Sequence, residues 1–172
     1  MSRRLFLGWW LGGIAIFVVS IFLHAPLASE AVTGGIFDHQ AAPDAASVDA
    51  IQQAWAEGGQ AVLAGLAMIT DLVFITVYSA GCVLGGLFYR AQTSLVRAVL
   101  AEMALVAGGV FFISDIGETI AQLVQLVQFA GNDQLARLAS HLGPIKVVSF
   151  LVSFALLAIA LLHERLSRAP KL

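Results

Sequence analysis

Four stretches of this chain are long and apolar enough to cross a bilayer, which decides its fold class before any motif is considered. Leu5 to Leu23 is 19 residues without a charge, and Ala61 to Tyr89 is 29 residues in which only Asp71 is charged. Ala98 to Phe129 is 32 residues interrupted by Glu102, Asp115 and Glu118, and Gly143 to Leu162 carries only Lys146. A helix needs ~20 apolar residues to cover ~30 Å of hydrocarbon. Backbone in hydrocarbon must satisfy its own hydrogen bonds, and no run alternates with the period of a barrel strand, so all four are helices. The expectation is an all-α integral membrane four-helix bundle, one transmembrane domain over residues 1–172, with spans at about 5–27, 61–89, 97–121 and 143–163.

Composition narrows the function classes. Only 12% of the residues are charged, against about 25% in an ordinary soluble domain. Nine Lys and Arg against 11 Asp and Glu leave a net charge of −2, so no basic surface invites nucleic acid. The expected partner is the lipid bilayer, with a second membrane protein or a second copy of the chain as further candidates. Cys82 is the single cysteine, which excludes an internal disulfide and a cysteine-based zinc site. It reads as a small packing residue.

The cations set the orientation. Arg3 and Arg4 precede the first span, Arg90 and Arg97 bracket the second connection, and Arg165, Arg168 and Lys171 follow the last. The positive-inside rule makes that side cytoplasmic, with both termini on it. The segment between spans one and two holds Glu30, Asp38, Asp44, Asp49 and Glu57 and no cation, which puts it outside, in the periplasm of a bacterium with the protein in the inner membrane. Trp9, Trp10 and Trp55 fit interfacial anchoring. The Arg3-Arg4 start followed by an apolar run also has the form of a signal peptide, but 19 residues exceed the ~7–15 of a signal core and favour a retained anchor.

Between the spans, residues 30–58 form an outer loop that turns helical from about Asp44, where Val48, Ile51 and Trp55 recur at helical spacing before Gly58-Gly59 weakens the run. Asp115, Glu118, Gln122 and Gln125 make one polar stripe on span three, so its outer turns are expected to leave the hydrocarbon. Gly131 is the expected stop and Asn132 the N-cap of a short interfacial helix at 132–142, striped by Leu135, Leu138 and Leu142 and ending before Gly143-Pro144. Gly81 with Gly85 allows close helix packing.

Counting residues along each helix places the intramembrane polar groups in depth. At 1.5 Å per residue Asp71 lies ~28 Å above Arg90, Asp115 ~27 Å above Arg97, Lys146 ~26 Å above His163 and His24 ~30 Å above Arg4. Four helices thus bring a histidine, two aspartates and a lysine to one level near the outer edge of the hydrocarbon. Glu118 is one turn further out, and Tyr78, at ~18 Å, is deeper on the face of Asp71. Such groups cost ~2.5–3.5 kcal/mol each within a span and usually face the bundle and pair. The candidate ligand-binding or structural cluster is therefore Asp71, Asp115, Glu118, Lys146, Tyr78 and His24. Two accounts fit it: a cup open to the outer leaflet, or a structural network in which Lys146 bridges Asp71 and Asp115 and fixes the helix order. Glu102 is expected at the inner interface, His163-Glu164-Arg165 as an ordinary helix-end cluster, and His141 in solvent, although it is also placed where it can meet His24.

Three carboxylates against one lysine suit a small cationic ligand or a lipid head group, and binding ranks ahead of catalysis. No metal or cofactor is expected, because two histidines without further ligand spacing do not make a site. A lipid hydrolase using paired carboxylates is the enzyme alternative, without a Gly-x-Ser-x-Gly or His-x-x-x-His motif behind it. The inner halves of the helices offer few polar steps, which argues against transport. A third class is an accessory or assembly subunit that docks a partner through its outer cap. Asp71-x-x-Phe74-x-x-x-Tyr78, Asp115-x-x-Glu118 and Lys146 resemble the pattern of an uncharacterised family of small four-helix bacterial integral membrane proteins. In that family the acidic pair is followed by Asn and the lysine by Trp, where this chain has Thr119 and Val147. The resemblance implies one thing, that the five residues act as a set.

Overall fold

The computed structural model describes residues 2–92 and 94–167, so Arg168 and Lys171 of the expected cytoplasmic fringe lie outside the described residues. Helices α1 (Arg3–His24), α2 (Ile36–Ala41), α3 (Ala45–Glu57), α4 (Ala61–Arg90), α5 (Leu95–Gln128) and α6 (Asp133–Ser167) follow in order, with one 3₁₀ turn at Ala25–Leu27 and no strand among the described residues. Four of them, α1 with its turn, α4, α5 and α6, are long and apolar enough to cross a membrane. The all-α expectation and the four candidate spans therefore stand.

Helix α1 packs on α4, α4 on α5, and α5 on α6. Two glycines let α1 and α4 touch backbone to backbone: a Cβ on Gly13 would lie 2.6 Å from the Tyr78 Cα, and one on Gly81 would lie 2.6 Å from the Trp10 Cα. Gly108 of α5 receives the Cys82 side chain of α4, which gives the lone buried cysteine its packing role. Between α6 and α1 large rings fill the wider gap, with Trp10 and Phe154 centroids 5.3 Å apart and Phe17 and Phe150 also 5.3 Å apart. Phe74, Tyr78 and Phe111 complete this aromatic core. Small residues on one seam and aromatics on the other make a bundle whose contacts are dispersion and shape, as hydrocarbon surroundings require.

One end of the bundle, here called basal, gathers the start of α1, the α4–α5 turn and the end of α6. The other carries a cap made of the 3₁₀ turn, α2 and α3. Asp44 caps α3 by accepting from the Ser47 amide (2.8 Å), and Gly59, at φ 70°, turns the chain into α4. The weak point at Gly58-Gly59 is thus a true break. Leu27, Val32, Ile36, Trp55, Ala64 and Met68 form the cap's own apolar core.

Several expectations are corrected. Trp55 is fully buried and donates Nε1–H to the Leu27 carbonyl (3.0 Å), and Trp10 is buried in the bundle; of the three tryptophans only Trp9 is exposed as an interfacial anchor would be. Helix α5 ends at Gln128 rather than at Gly131, with Phe129 in the left-handed region (φ 49°) and the Ala130 amide closing back on the Gln125 carbonyl (3.2 Å). Gly131 does not serve as the stop because α3 takes it: a Cβ there would collide with the Ala45 carbonyl. Asn132 does cap α6, accepting from the Gln134 and Leu135 amides (2.9 and 3.1 Å).

That helix then runs unbroken through Gly143-Pro144 to Ser167, so 132–142 and 143–163 are one element and not two. A proline removes one ladder bond, and surrounding helices and local adjustment accommodate that loss within a spanning helix. Nor does the leucine stripe of 132–142 form its buried face. Ala136 and Ala139 are buried while Leu138 is exposed, because small residues let α6 approach Ala42 and Val48 of the cap.

Candidate functional site

The polar cluster is assembled by one residue or pair from each long helix, just beneath the cap. His24 closes the last turn of α1, and its Nε2 lies 2.9 Å from Asp71 Oδ2 on α4. Lys146 on α6 reaches across to α5, with Nζ 3.1 Å from Asp115 Oδ1 and 2.9 Å from Glu118 Oε1. The spacing of Asp115 and Glu118, three residues apart on one helical face, is what lets a single ammonium engage both. Thr119 lies 3.5 Å from Asp115, and Gln122 donates to Glu118 Oε1 (3.0 Å).

The bridge expected from Lys146 to Asp71 and Asp115 therefore takes a different form. Lys146 holds Asp115 and Glu118, and Asp71 is held by His24. The two sets still act on each other, since the Asp71 and Asp115 carboxylates are close enough to repel. Tyr78 is not among them. Its hydroxyl sits 2.9 Å from Ser153 Oγ and 3.4 Å from the Phe150 carbonyl, inside the aromatic core. Its position on the Asp71 face was legible from helical spacing, but a phenol two turns deeper meets α6 before it can reach the cluster. His141 is exposed and bonded to its own helix at the Arg137 carbonyl (2.6 Å), and the contact with His24 is not made.

Burial grades inward across the cluster. The side chains of His24, Lys146 and Asp71 retain 17, 15 and 12% of their exposure, Asp115 6% and Glu118 none. Glu118 Oε2 is buried and accepts no hydrogen bond from the described residues. Gly143 stands over this oxygen, where a Cβ would come within 3.7 Å of it. Three carboxylates meet one ammonium and one imidazole in this cluster. Among the described residues no three His, Cys, Asp or Glu side chains are placed to hold a metal ion.

Two polar groupings escaped the sequence. In the cap, His39 is buried with its ring 5.2 Å from Trp55 and its Nε2 3.3 Å from the Gln52 amide. Burial holds its pKa down at about 4, with a hydrogen bond to Gln122 acting weakly the other way. Gln122 thus lies next to His39 of the cap as well as bonding Glu118, and the polar stripe of α5 lies buried beneath α2 and α3 instead of facing water. At the basal end, Glu164 is not an ordinary helix-end charge. It is buried, accepts from the Tyr89 hydroxyl (2.9 Å) and pairs with Arg3 (3.4 Å). Glu102, also at that end, pairs with Arg90 (3.7 Å), a partner that sequence position alone does not name. Neither grouping has a local signal, because each joins residues far apart in sequence. No protein-family model, curated protein or solved structure matches the chain.

Proposed function

We propose that this chain is a multi-pass protein of a bacterial inner membrane, both termini cytoplasmic, whose cluster under the cap binds a cationic group presented from the outer leaflet. The ligand class is a small amine or the amine of a lipid head group. One observation carries this reading: Glu118, wholly buried, keeps an oxygen without a donor in a cluster that already holds more carboxylate than cation. A buried acceptor left unmade costs ~1–3 kcal/mol, more when charged, and a cationic donor removes both that penalty and the excess negative charge. The partial exposure of His24, Asp71 and Lys146 gives the route of approach.

A second reading has its own support. His24–Asp71 ties α1 to α4, and Lys146 ties α6 to α5, so the same residues work as clamps that fix helix neighbours. Thermal unfolding of the chain in nanodiscs separates the two. Methylammonium, or phosphatidylethanolamine in place of phosphatidylcholine, raises Tm in wild type and leaves Glu118→Gln unchanged if the site binds cations. An unchanged wild-type Tm with both probes overturns the binding reading and leaves the clamp.

A further inference from the structure

The basal end holds a second candidate site, about 30 Å from the cluster along α1 and independent of what the cluster binds. Helices α1 and α6 are joined by side chains rather than by close backbone packing, and basal to the Trp10–Phe154 contact a groove of about 630 Å³ lies between them. That volume is in the range of small-molecule sites, ~300–1,000 Å³. Arg3 and Arg165 line its basal mouth, and Leu7, Leu11, Leu161 and Leu162 line the part nearer the middle of the bundle.

The arrangement follows from helical register. Arg3, Leu7 and Leu11 succeed one another at i, i+4 and i+8 on one face of α1, while Leu161 and Arg165 do the same at i and i+4 on α6. The groove therefore passes from cationic to apolar over ~12 Å, with its charged end at the end of the span. A soluble anion would use only the mouth. A molecule that fills the groove has a negative head and a hydrocarbon tail lying parallel to the helices.

Glu164 also lines this groove, and a carboxylate there would by itself repel an anion. It is buried, however, and engaged by the Tyr89 hydroxyl and by Arg3 Nε, so its effect is to anchor Arg3 at the mouth. Arg3 remains half exposed in that pair, and Arg165 is exposed. A guanidinium offers five donors in a planar fork, matched to phosphate oxygens. Basic pockets between spanning helices on the cytoplasmic side are suited to anionic head groups, each cation near the surface contributing favourably.

We infer that the α1–α6 groove is a binding site for one anionic phospholipid, its phosphate between Arg3 and Arg165 and an acyl chain along Leu7, Leu11 and Leu161. Native mass spectrometry of the full chain, titrated in detergent with phosphatidylglycerol and with phosphatidylcholine of the same chains, tests it. The expected result is one tightly retained phosphatidylglycerol, weakened about 30-fold in the double variant Arg3→Gln/Arg165→Gln, with phosphatidylcholine bound no better than to that variant. Because loss of Arg3 disturbs the Glu164 pair, Leu11→Trp serves as a second variant that fills the groove and leaves both arginines in place. It is expected to expel the lipid from a folded chain. Equal retention of the two lipids by wild type, or full retention of phosphatidylglycerol by Leu11→Trp, overturns the assignment.

Discussion

Acid should loosen the cap before it loosens the bundle, and His39 sets the window. The ring lies outside the spanning helices, buried against Trp55, Gln52 and Gln122, and burial lowers its pKa from 6.5 to about 4. The unfolded or opened segment takes up its proton near pH 6.5, while the closed cap does not until about pH 4. Between those values the open state binds more protons, so closure is fully favourable above pH 6.5 and weakens as pH falls. The slope is about 1.4 kcal/mol per pH unit, and the whole shift amounts to about 3 kcal/mol. Hydrogen exchange of the amides in 36–57, measured in nanodiscs from pH 7 to 4.5 and corrected for intrinsic rates, reads the opening free energy directly. His39→Gln keeps a hydrogen-bonding side chain that does not titrate, and the difference between wild type and this variant isolates the imidazole from neighbouring carboxylates. That difference should grow toward low pH by the stated slope. A difference that stays constant over the range refutes the argument.

Other perturbations bear on the bundle. Lys146→Met strands Asp115 and Glu118 without their shared cation and should cost about 3–5 kcal/mol; adding Asp115→Leu and Glu118→Leu should restore most of it, as read by denaturant unfolding in detergent. Gly13→Ala and Gly81→Ala place a methyl against backbone atoms of the partner helix, so α1 and α4 must separate, at about 1–3 kcal/mol or more; Gly8→Ala, with no neighbour within 4 Å, should not lower Tm. Phe129→Gly should stabilise the chain by about 1 kcal/mol, since an exposed side chain is held in left-handed backbone at the end of α5. A fall in Tm for that variant would show the ring to be packed.

Spacing alone brought four of the six candidate residues to one level, because depth along a spanning helix depends only on residue count and a fixed rise. Asp71, Asp115, Lys146 and His24 meet where that count placed them, and Glu118 joins from the next turn. Partner choice was not legible, since it depends on helix rotation. Lys146 had two aspartates within nominal reach and took the aspartate and glutamate of one helix. The cap was the least legible part. Its burial of Trp55 and His39 depends on how the 36-residue connection between α1 and α4 folds over the bundle; the helix from about Asp44 was legible there, its packing against the bundle was not. Pro144 misled for a related reason: the punctuation that ends helices in water can be carried inside a helix supported by others.

The cap and the cluster explain each other. Helix α5 continues past the level of Lys146 for three further turns, and its polar stripe, Glu118, Gln122 and Gln125, is buried throughout. Left facing lipid, these groups would each lack partners; left facing water, they would need no cap. Helices α2 and α3 supply what the stripe requires. With its amide oxygen turned to His39, Gln52 donates to the Gln125 carbonyl (3.2 Å), and the Asn132 amide donates to the Gln125 side chain (2.9 Å). Gln122 lies between His39 above and Glu118 below. A cation that settles on Glu118 therefore acts beside Gln122, a side chain that also borders the cap. Occupancy of the cluster should lower the exchange of α2 and α3 amides, and Gln122→Leu should abolish that response while leaving Lys146 paired. If α2 and α3 protection is unaltered by methylammonium in wild type, the two layers are mechanically separate and the cap is only a cover.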